Sequence, residues 1–207
     1  MAGAVLSAST DEQGLINRAR HGDIGAFNGI VAAYQQSAYN VAYRLVGDTE
    51  SAADVTQEAF VSAFRNIRSY RGGSFHAWLM RIVTNCSYDA LRSRQRRPTM
   101  SLEQLTESES GPVDFADSAE TPEDAAIRGE LAAFIHTAIQ KLPFDQRAAL
   151  VLCDVQGMSY EEIAATTQTS IGTVKSRISR ARAHVRTEIL KKRELIPERY
   201  RHDHDLH

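Results

Sequence analysis

The sequence predicts an all-α protein: two small helical domains joined by a flexible acidic linker, the second domain containing a helix-turn-helix. Three observations carry that expectation. Apolar residues recur at alternating spacings of three and four along most of the chain, which lines one face of a helix. No stretch alternates apolar and polar residues for a useful length, although Val151-Leu152-Cys153 would suit a strand in isolation. The acidic excess is confined to one Pro-, Ser- and Thr-containing segment.

The 207 residues carry 24 Lys and Arg against 26 Asp and Glu, a formal charge of −2. Read alone, that average argues against a strongly anionic partner. The distribution along the chain reverses the argument. Residues 1–97 hold 11 basic and 8 acidic side chains, residues 98–124 hold no base and 8 acids, and residues 125–207 hold 13 bases and 10 acids. The middle segment has three prolines and no lasting period. It cannot bury enough apolar surface to offset its ordering entropy, so it reads as a linker. The resulting divisions are a domain at 11–97, the linker at 98–124, a domain at 125–193 and a tail at 194–207.

The elements follow in order. A short helix near 11–20 is expected, with Ser9-x-x-Glu12 as a capping box. Ile24, Phe27, Val31, Tyr34, Ala38, Val41 and Leu45 then share one face, between an N-cap at Asp23 and a stop at Gly47. The next helix spans about Glu50 to Ser69, with Val55, Ala59, Phe60, Ala63, Phe64 and Ile67 inward. A third follows Ser74, with Phe75, Trp78, Leu79, Ile82, Val83 and Cys86 inward. After the linker, Thr121-Pro122-Glu123-Asp124 supplies a cap, a proline at the first helical position and first-turn acids. Ile127, Leu131, Phe134, Ile135 and Ala138 continue that helix face. Pro143 separates it from a helix with Leu150, Val151 and Val155, which Gly157 ends.

Ser159-Tyr160-Glu161-Glu162 is a second capping box, opening a short helix through Ile163, Ala164 and Ala165. The polar break at 166–170 precedes a longer helix with Ile171, Val174, Ile178, Ala181, Val185 and Ile189 on one side. Its other side carries Lys175, Ser176, Ser179, Arg180, Arg182 and Arg186. This is the composition of a DNA-reading helix-turn-helix: small residues allow a close crossing, and a basic polar face fits the major groove. Lys and Arg pair with guanine edges, and the amides of Gly172 and Thr173 are placed to meet a phosphate.

Other classes are disfavoured. No run approaches the roughly 20 apolar residues of a membrane span, and no membrane insertion is expected. The N-terminus lacks a basic segment with a long apolar core, so it does not read as a secretory signal. Cys86 and Cys153 are too few for a disulfide scaffold and suit a reducing cytoplasm as core thiols. No metal-ligand cluster, nucleophile–base pair or phosphate loop suggests an enzyme, and neither metal nor cofactor is expected. His202, His204 and His207 in the tail lack the convergence a closed metal site needs.

The residues also carry a resemblance. Leu142-Pro143, the run DQRAALVLCDVQGMSYEEIA at 145–164 and IGTVKSRISRAR at 171–182 resemble region 4 of bacterial extracytoplasmic-function sigma factors of the sigma-70 family. AADVTQEAFVSAFRNI at 52–67 resembles region 2.2, and YRGGSFHAWLMRIVTNCSYDALRSRQRR at 70–97 resembles regions 2.3 and 2.4.

The resemblance implies a factor that binds core RNA polymerase through the β′ clamp and β flap and directs initiation at promoter DNA. It is a monomer when free, and an anti-sigma factor commonly holds it inactive. Asp54, Gln57, Glu58, Phe60 and Val61 would meet the clamp, with Phe60 serving either that surface or the core. Tyr70, Arg71 and Ser74 flank two glycines in a loop that would capture a flipped base. Trp78, Arg81, Asn85 and Arg92 would extend that −10 site, with Trp78 equally suited to the core. Ser170, Gly172, Thr173, Lys175, Ser176, Arg177, Ser179, Arg180 and Arg182 would form the −35 site. Ser170-Ile171-Gly172-Thr173 departs from the family's usual Pro-Val-Gly-Thr, and Ser179 stands where other members have larger residues, so base preference does not transfer. The acidic linker serves either as a solvated tether or as a mimic of RNA charge. The alternative reading is a stand-alone helix-turn-helix regulator with a helical ligand- or protein-binding domain.

Overall fold

The computed structural model describes residues 9–96 and 122–191. The linker up to residue 121, the tail from residue 192, and the side chains at 9–11 and 122–128, Ser9 and Ile127 included, lie outside the described residues. All the elements among the described residues are helical.

The first half is a bundle of α1 (Ser9–Arg20), α2 (Ile24–Val46), α3 (Thr49–Asn66) and α4 (Phe75–Arg96). Local chemistry sets its corners. The Asp23 carboxylate accepts the Ala26 amide at 2.9 Å and starts α2. Gly47 ends α2 at φ 100°, in the left-handed region that glycine occupies at little cost. The neighbouring Asp48 accepts the Ser51 amide at 2.8 Å and starts α3, so only two residues turn the chain. Ile67–Ser69 extends α3 as a 3-10 turn. Ser74 caps α4 by accepting the Ala77 amide at 3.1 Å. Ile16, Ile30, Leu45, Val55, Ile67, Leu79, Met80 and Val83 fill the centre and are almost fully buried. Each such side chain contributes about 1.5–3 kcal/mol.

The second half comprises α5 (Pro122–Gln140), α6 (Phe144–Leu150), α7 (Tyr160–Thr167) and α8 (Ile171–Leu190). Helix α6 continues as a π segment at Val151–Val155, where the isolated sequence also suited a strand. The Ser159–Glu162 capping box forms with both of its hydrogen bonds. Gln168 turns the chain between α7 and α8 in a left-handed conformation at φ 54°, which costs a non-glycine residue about 1–2 kcal/mol. Leu152, Ile163, Val174, Ile178 and Ala181 form the core.

Two features depart from the sequence expectation. Ile24, Phe64, Val155 and Ile171, assigned inward by periodicity, are exposed. Ile24 and Ile171 open their helices, where a face has less neighbouring structure to pack against. The larger difference concerns the two halves, which the sequence treats as separate bodies on a tether. They pack together through one continuous cluster of buried residues. The Tyr88 and Phe144 rings meet edge-on at 5.3 Å, and the Ser37 hydroxyl donates to Gln156 Oε1 at 2.5 Å.

Candidate functional site

Three faces carry the candidate residues. On α3, Asp54, Gln57, Glu58 and Val61 are exposed along one stripe. Phe60 is not: it is 8% exposed and belongs to the core. Its position, two residues after Glu58, turns it roughly 200° around the helix from that acid. Periodicity missed Phe64, which is 41% exposed. It lies three residues after Val61 and packs edge-on against Phe27 at 4.9 Å. The face is therefore acidic at one end and apolar at the other.

The second face is built by the loop before α4 and by α4 itself. Gly72 and Gly73 both adopt left-handed φ values, 98° and 92°, which admits the sharp bend at low cost. Tyr70, expected as an exposed stacking ring, is 3% exposed. Its ring packs against Phe75 and Trp78, and its hydroxyl donates to the Gly73 carbonyl at 2.7 Å. Burial and the loop tie go together: Tyr70 holds the loop shape and leaves Arg71 and Ser74 exposed. Trp78 is half-buried in the same aromatic group. Arg81, Asn85 and Arg92 are exposed on α4. Tyr88 completes their stripe, three residues after Asn85 and four before Arg92, and is 48% exposed. That spacing is the signal in the sequence that would have found it.

The third face lies on α8. Gly172, Lys175, Ser179 and Arg180 are exposed, with half-buried Ser176 among them. Arg177 and Arg182 flank the apolar stripe instead and are drawn onto the domain's own acids. Arg177 pairs with Asp145 and Arg182 with Asp154. The hydrogen bond to Arg182 holds the Asp154 carboxyl below the usual carboxylate range against its partial desolvation. Ser170 Oγ accepts the Thr173 amide at 3.2 Å, so this amide already has a partner at the helix start. Ser170 thus does as an N-cap what a proline at this position does by restricting φ.

Between α5, the π segment and α8 runs an apolar groove of about 410 Å³, lined by Ile135, Ile139, Leu150, Val155, Val185 and Ile189 among others. Exposed Val155 and Leu190 stand on its walls. The end of α8 is held to α5 through Glu188, which Lys191 and Lys141 push down to about 2. Burial, with help from Glu58 and Asp89, pushes the Cys86 thiol up to about 11. Burial and Asp154 raise Cys153 as well. Both are protonated thiols at neutral pH, a poor state for nucleophilic or redox chemistry. Among the described residues, no group of three or more His, Cys, Asp or Glu is placed to hold a metal. No described helix is long and apolar enough to cross a membrane.

Comparison with known proteins gives this arrangement a family. Residues 30–97 match the family model for sigma-70 region 2, and residues 135–185 match that for sigma-70 region 4. The RNA polymerase sigma-H factor of Pseudomonas aeruginosa is 42% identical over 180 residues, which cover 86% of this chain and 93% of that protein. The ECF RNA polymerase sigma-E factor of Escherichia coli K12 is 37% identical over 188 residues, 89% of this chain and 97% of that protein. Among solved structures, CnrH in complex with the cytosolic domain of CnrY has a TM-score of 0.62 at 26% identity, covering 87% of this chain and 98% of that one. The sigma factor RpoE bound to the anti-sigma factor NepR from Bartonella quintana also has a TM-score of 0.62 at 26% identity, covering 80% and 98%. The chain belongs to the extracytoplasmic-function group of sigma-70 family RNA polymerase sigma factors.

Proposed function

We propose that this chain is an alternative sigma factor that binds core RNA polymerase and directs promoter-specific initiation through −10 and −35 elements. The single observation that carries the reading is the ordered pair of region 2 and region 4 blocks in a chain 42% identical to a sigma factor along most of its length. The three faces supply its physical content. Asp54, Gln57, Glu58 and Val61, with Phe64, form a mixed acidic and apolar surface suited to the β′ clamp. Phe60 supports that surface from within. Arg71, Ser74, Trp78, Arg81, Asn85 and Arg92 offer cations, an amide and a ring edge to an unpaired −10 strand. Lys175, Ser179 and Arg180 project from α8 for the −35 duplex, with Ser176 and Gly172 beside them. Arg177 and Arg182 act mainly by fixing α8 on its domain.

The residues at 11–97 serve core binding and −10 recognition, and those at 125–193 serve −35 recognition. The segment at 98–124 joins them and 194–207 forms a tail. The apolar groove beside α8 takes an amphipathic helix of the polymerase β flap. An anti-sigma factor competes for these surfaces, a reading supported by the solved partners of CnrH and RpoE. The protein performs no bond chemistry itself, works in the cytoplasm where polymerase and promoter meet, and is a monomer until it binds core.

Run-off transcription with purified core on a promoter library tests the reading. The expected result is core-dependent initiation at a shared −10 and −35 pair. Specific duplex binding by a free dimer, with no core-dependent start sites, would instead establish a stand-alone regulator.

A further inference from the structure

The loop at 71–74 has little to hold it from within. A β-carbon added at Gly72 or Gly73 would meet nothing within 4 Å. Glycines also lose more conformational freedom on ordering than other residues. The shape of the loop therefore depends on the rings behind it. The Tyr70 amide donates to the Ile67 carbonyl at 3.1 Å, which fixes the ring at the end of the 3-10 turn. Its hydroxyl then crosses the loop to the Gly73 carbonyl at 2.7 Å. Phe75, the first residue of α4, meets the Tyr70 ring edge-on at 5.3 Å and the Trp78 ring at 5.2 Å.

The support continues behind Phe75. Tyr34, from the middle of α2, packs on the Phe75 ring at 5.6 Å and on the His76 ring at 6.2 Å. Its hydroxyl donates to the carboxylate of Glu12 on α1. Both side chains are half-buried. Burial and the neighbouring Glu12 push the Tyr34 phenol far above its ordinary range, so it remains a donor. Burial raises the Tyr70 phenol as well, with Glu12 adding to the rise and Arg20 opposing it, so α1 is within electrostatic reach of both rings. Helix α1 also packs directly on the 3-10 turn at Ile67–Ser69. A continuous path thus runs from Glu12 through Tyr34, Phe75 and Tyr70 to Gly73, and every member belongs to the first half. A carboxylate acceptor suits its far end, because a bond to a charged oxygen is stronger than one to a neutral oxygen.

We propose that Glu12 and Tyr34 are positioning residues for base capture: the α1 carboxylate fixes the Tyr34 ring against Phe75, Phe75 fixes Tyr70, and Tyr70 holds Gly73 so that Arg71 and Ser74 keep one arrangement for an unpaired base. Neither residue touches DNA. The inference rests on the proposed −10 role of the loop for its purpose and on geometry for its existence. Full-length wild type is compared with Tyr34→Phe, Glu12→Leu and Glu12→Gln. Phenylalanine keeps the ring and removes the donor, leucine removes the acceptor, and glutamine retains an acceptor oxygen. Amide exchange followed by mass spectrometry reads residues 71–76, with α8 as internal reference. Run-off transcription at saturating core compares a promoter that the wild type uses with the same promoter made abasic at each non-template position of its −10 element. Loop exchange should be roughly threefold to tenfold faster in Tyr34→Phe and Glu12→Leu, with the preference for base over abasic site reduced by a similar factor. Glu12→Gln should restore both. Unchanged loop exchange overturns the brace, as does faster exchange spread evenly over α1 to α4, which marks a general loss of stability. A loosened loop with unchanged base preference overturns the role in capture. A Glu12→Gln variant as impaired as Glu12→Leu overturns the hydrogen bond as the link. If the wild type supports no core-dependent initiation, the sigma-factor reading fails, while exchange still judges the brace.

Discussion

Helices α4 and α8 are both basic, both amphipathic, and both carry candidate DNA-binding residues, yet the fold treats them in opposite ways. On α8 the polar stripe of Lys175, Ser179 and Arg180 faces outward, and the flanking Arg177 and Arg182 are anchored to Asp145 and Asp154. On α4 the stripe of Asn85 and Tyr88 adjoins Phe144 and Thr167 of the other half. Composition is alike, and accessibility is set by what packs beside each helix. Under the proposed function, the duplex face of α8 is presented ready-made, whereas the single-strand face of α4 adjoins the other half. That order suits DNA, whose duplex exists before its unpaired strand.

The contrast is broken most severely at Arg147. Arg147→Ala removes four hydrogen bonds, three to carbonyls at two helix ends and one to the Gln140 side chain. It should cost about 2–4 kcal/mol in denaturant unfolding, because buried carbonyls lose a charged donor. A loss below about 0.5 kcal/mol would show that water replaces the guanidinium without penalty.

Lys175→Ala with Arg180→Ala should come next. Since α8 is open, the double variant should weaken −35 duplex binding about tenfold or more even in the free chain. The slope of log affinity against log salt should fall by about one for each phosphate that no longer meets a cation. An unchanged slope would place the DNA on another surface. Asp54→Ala with Glu58→Ala provides the control for the duplex face, because α3 packs on α2 and α4 rather than on α8. Core polymerase affinity should drop roughly tenfold in a fluorescence titration, with duplex binding intact. Normal core affinity would remove these acids from the clamp surface.

The smallest effect concerns pH. Burial lowers the His136 pKa in the packed state, opposed by its bond to the Gly47 carbonyl and reinforced by nearby Arg44 and Arg147. With the two halves apart, the ring returns towards its ordinary value of about 6.5. The closed form therefore binds fewer protons, and closure is strongest above that value and weakens as pH falls through it. Lowering pH from about 7.5 to 5.5 should loosen the packing of the two halves a few-fold, read as a larger radius of gyration in small-angle X-ray scattering. His136→Leu should abolish the dependence, and its persistence in that variant would assign it to another group.

Much of this was legible in the chain. Asp23, Gly47 and Ser159 mark their helix ends by chemistry that acts within four residues, so they are visible without tertiary information. The basic stripe of α8 is equally local. Phe60 and Tyr70 were harder, because an aromatic ring suits a core and a binding face alike. Phe64 was missed for the opposite reason: apolar character suggested burial, and it sits at the edge of what its neighbours cover.

The sequence by itself determined the helices, their order, the acidic interruption and the residue types on each face. Those properties depend on backbone period, capping and composition, which are short-range. Only the tertiary structure decided that His136, Gln140 and Arg147 would meet the carbonyls of α2, across sequence separations of 89, 96 and 102 residues. A helical period states which way a side chain points from its own axis. It contains no information about which distant helix end will have carbonyls left to satisfy, and that need adds hydrogen bonds to the apolar cluster that joins the two halves here.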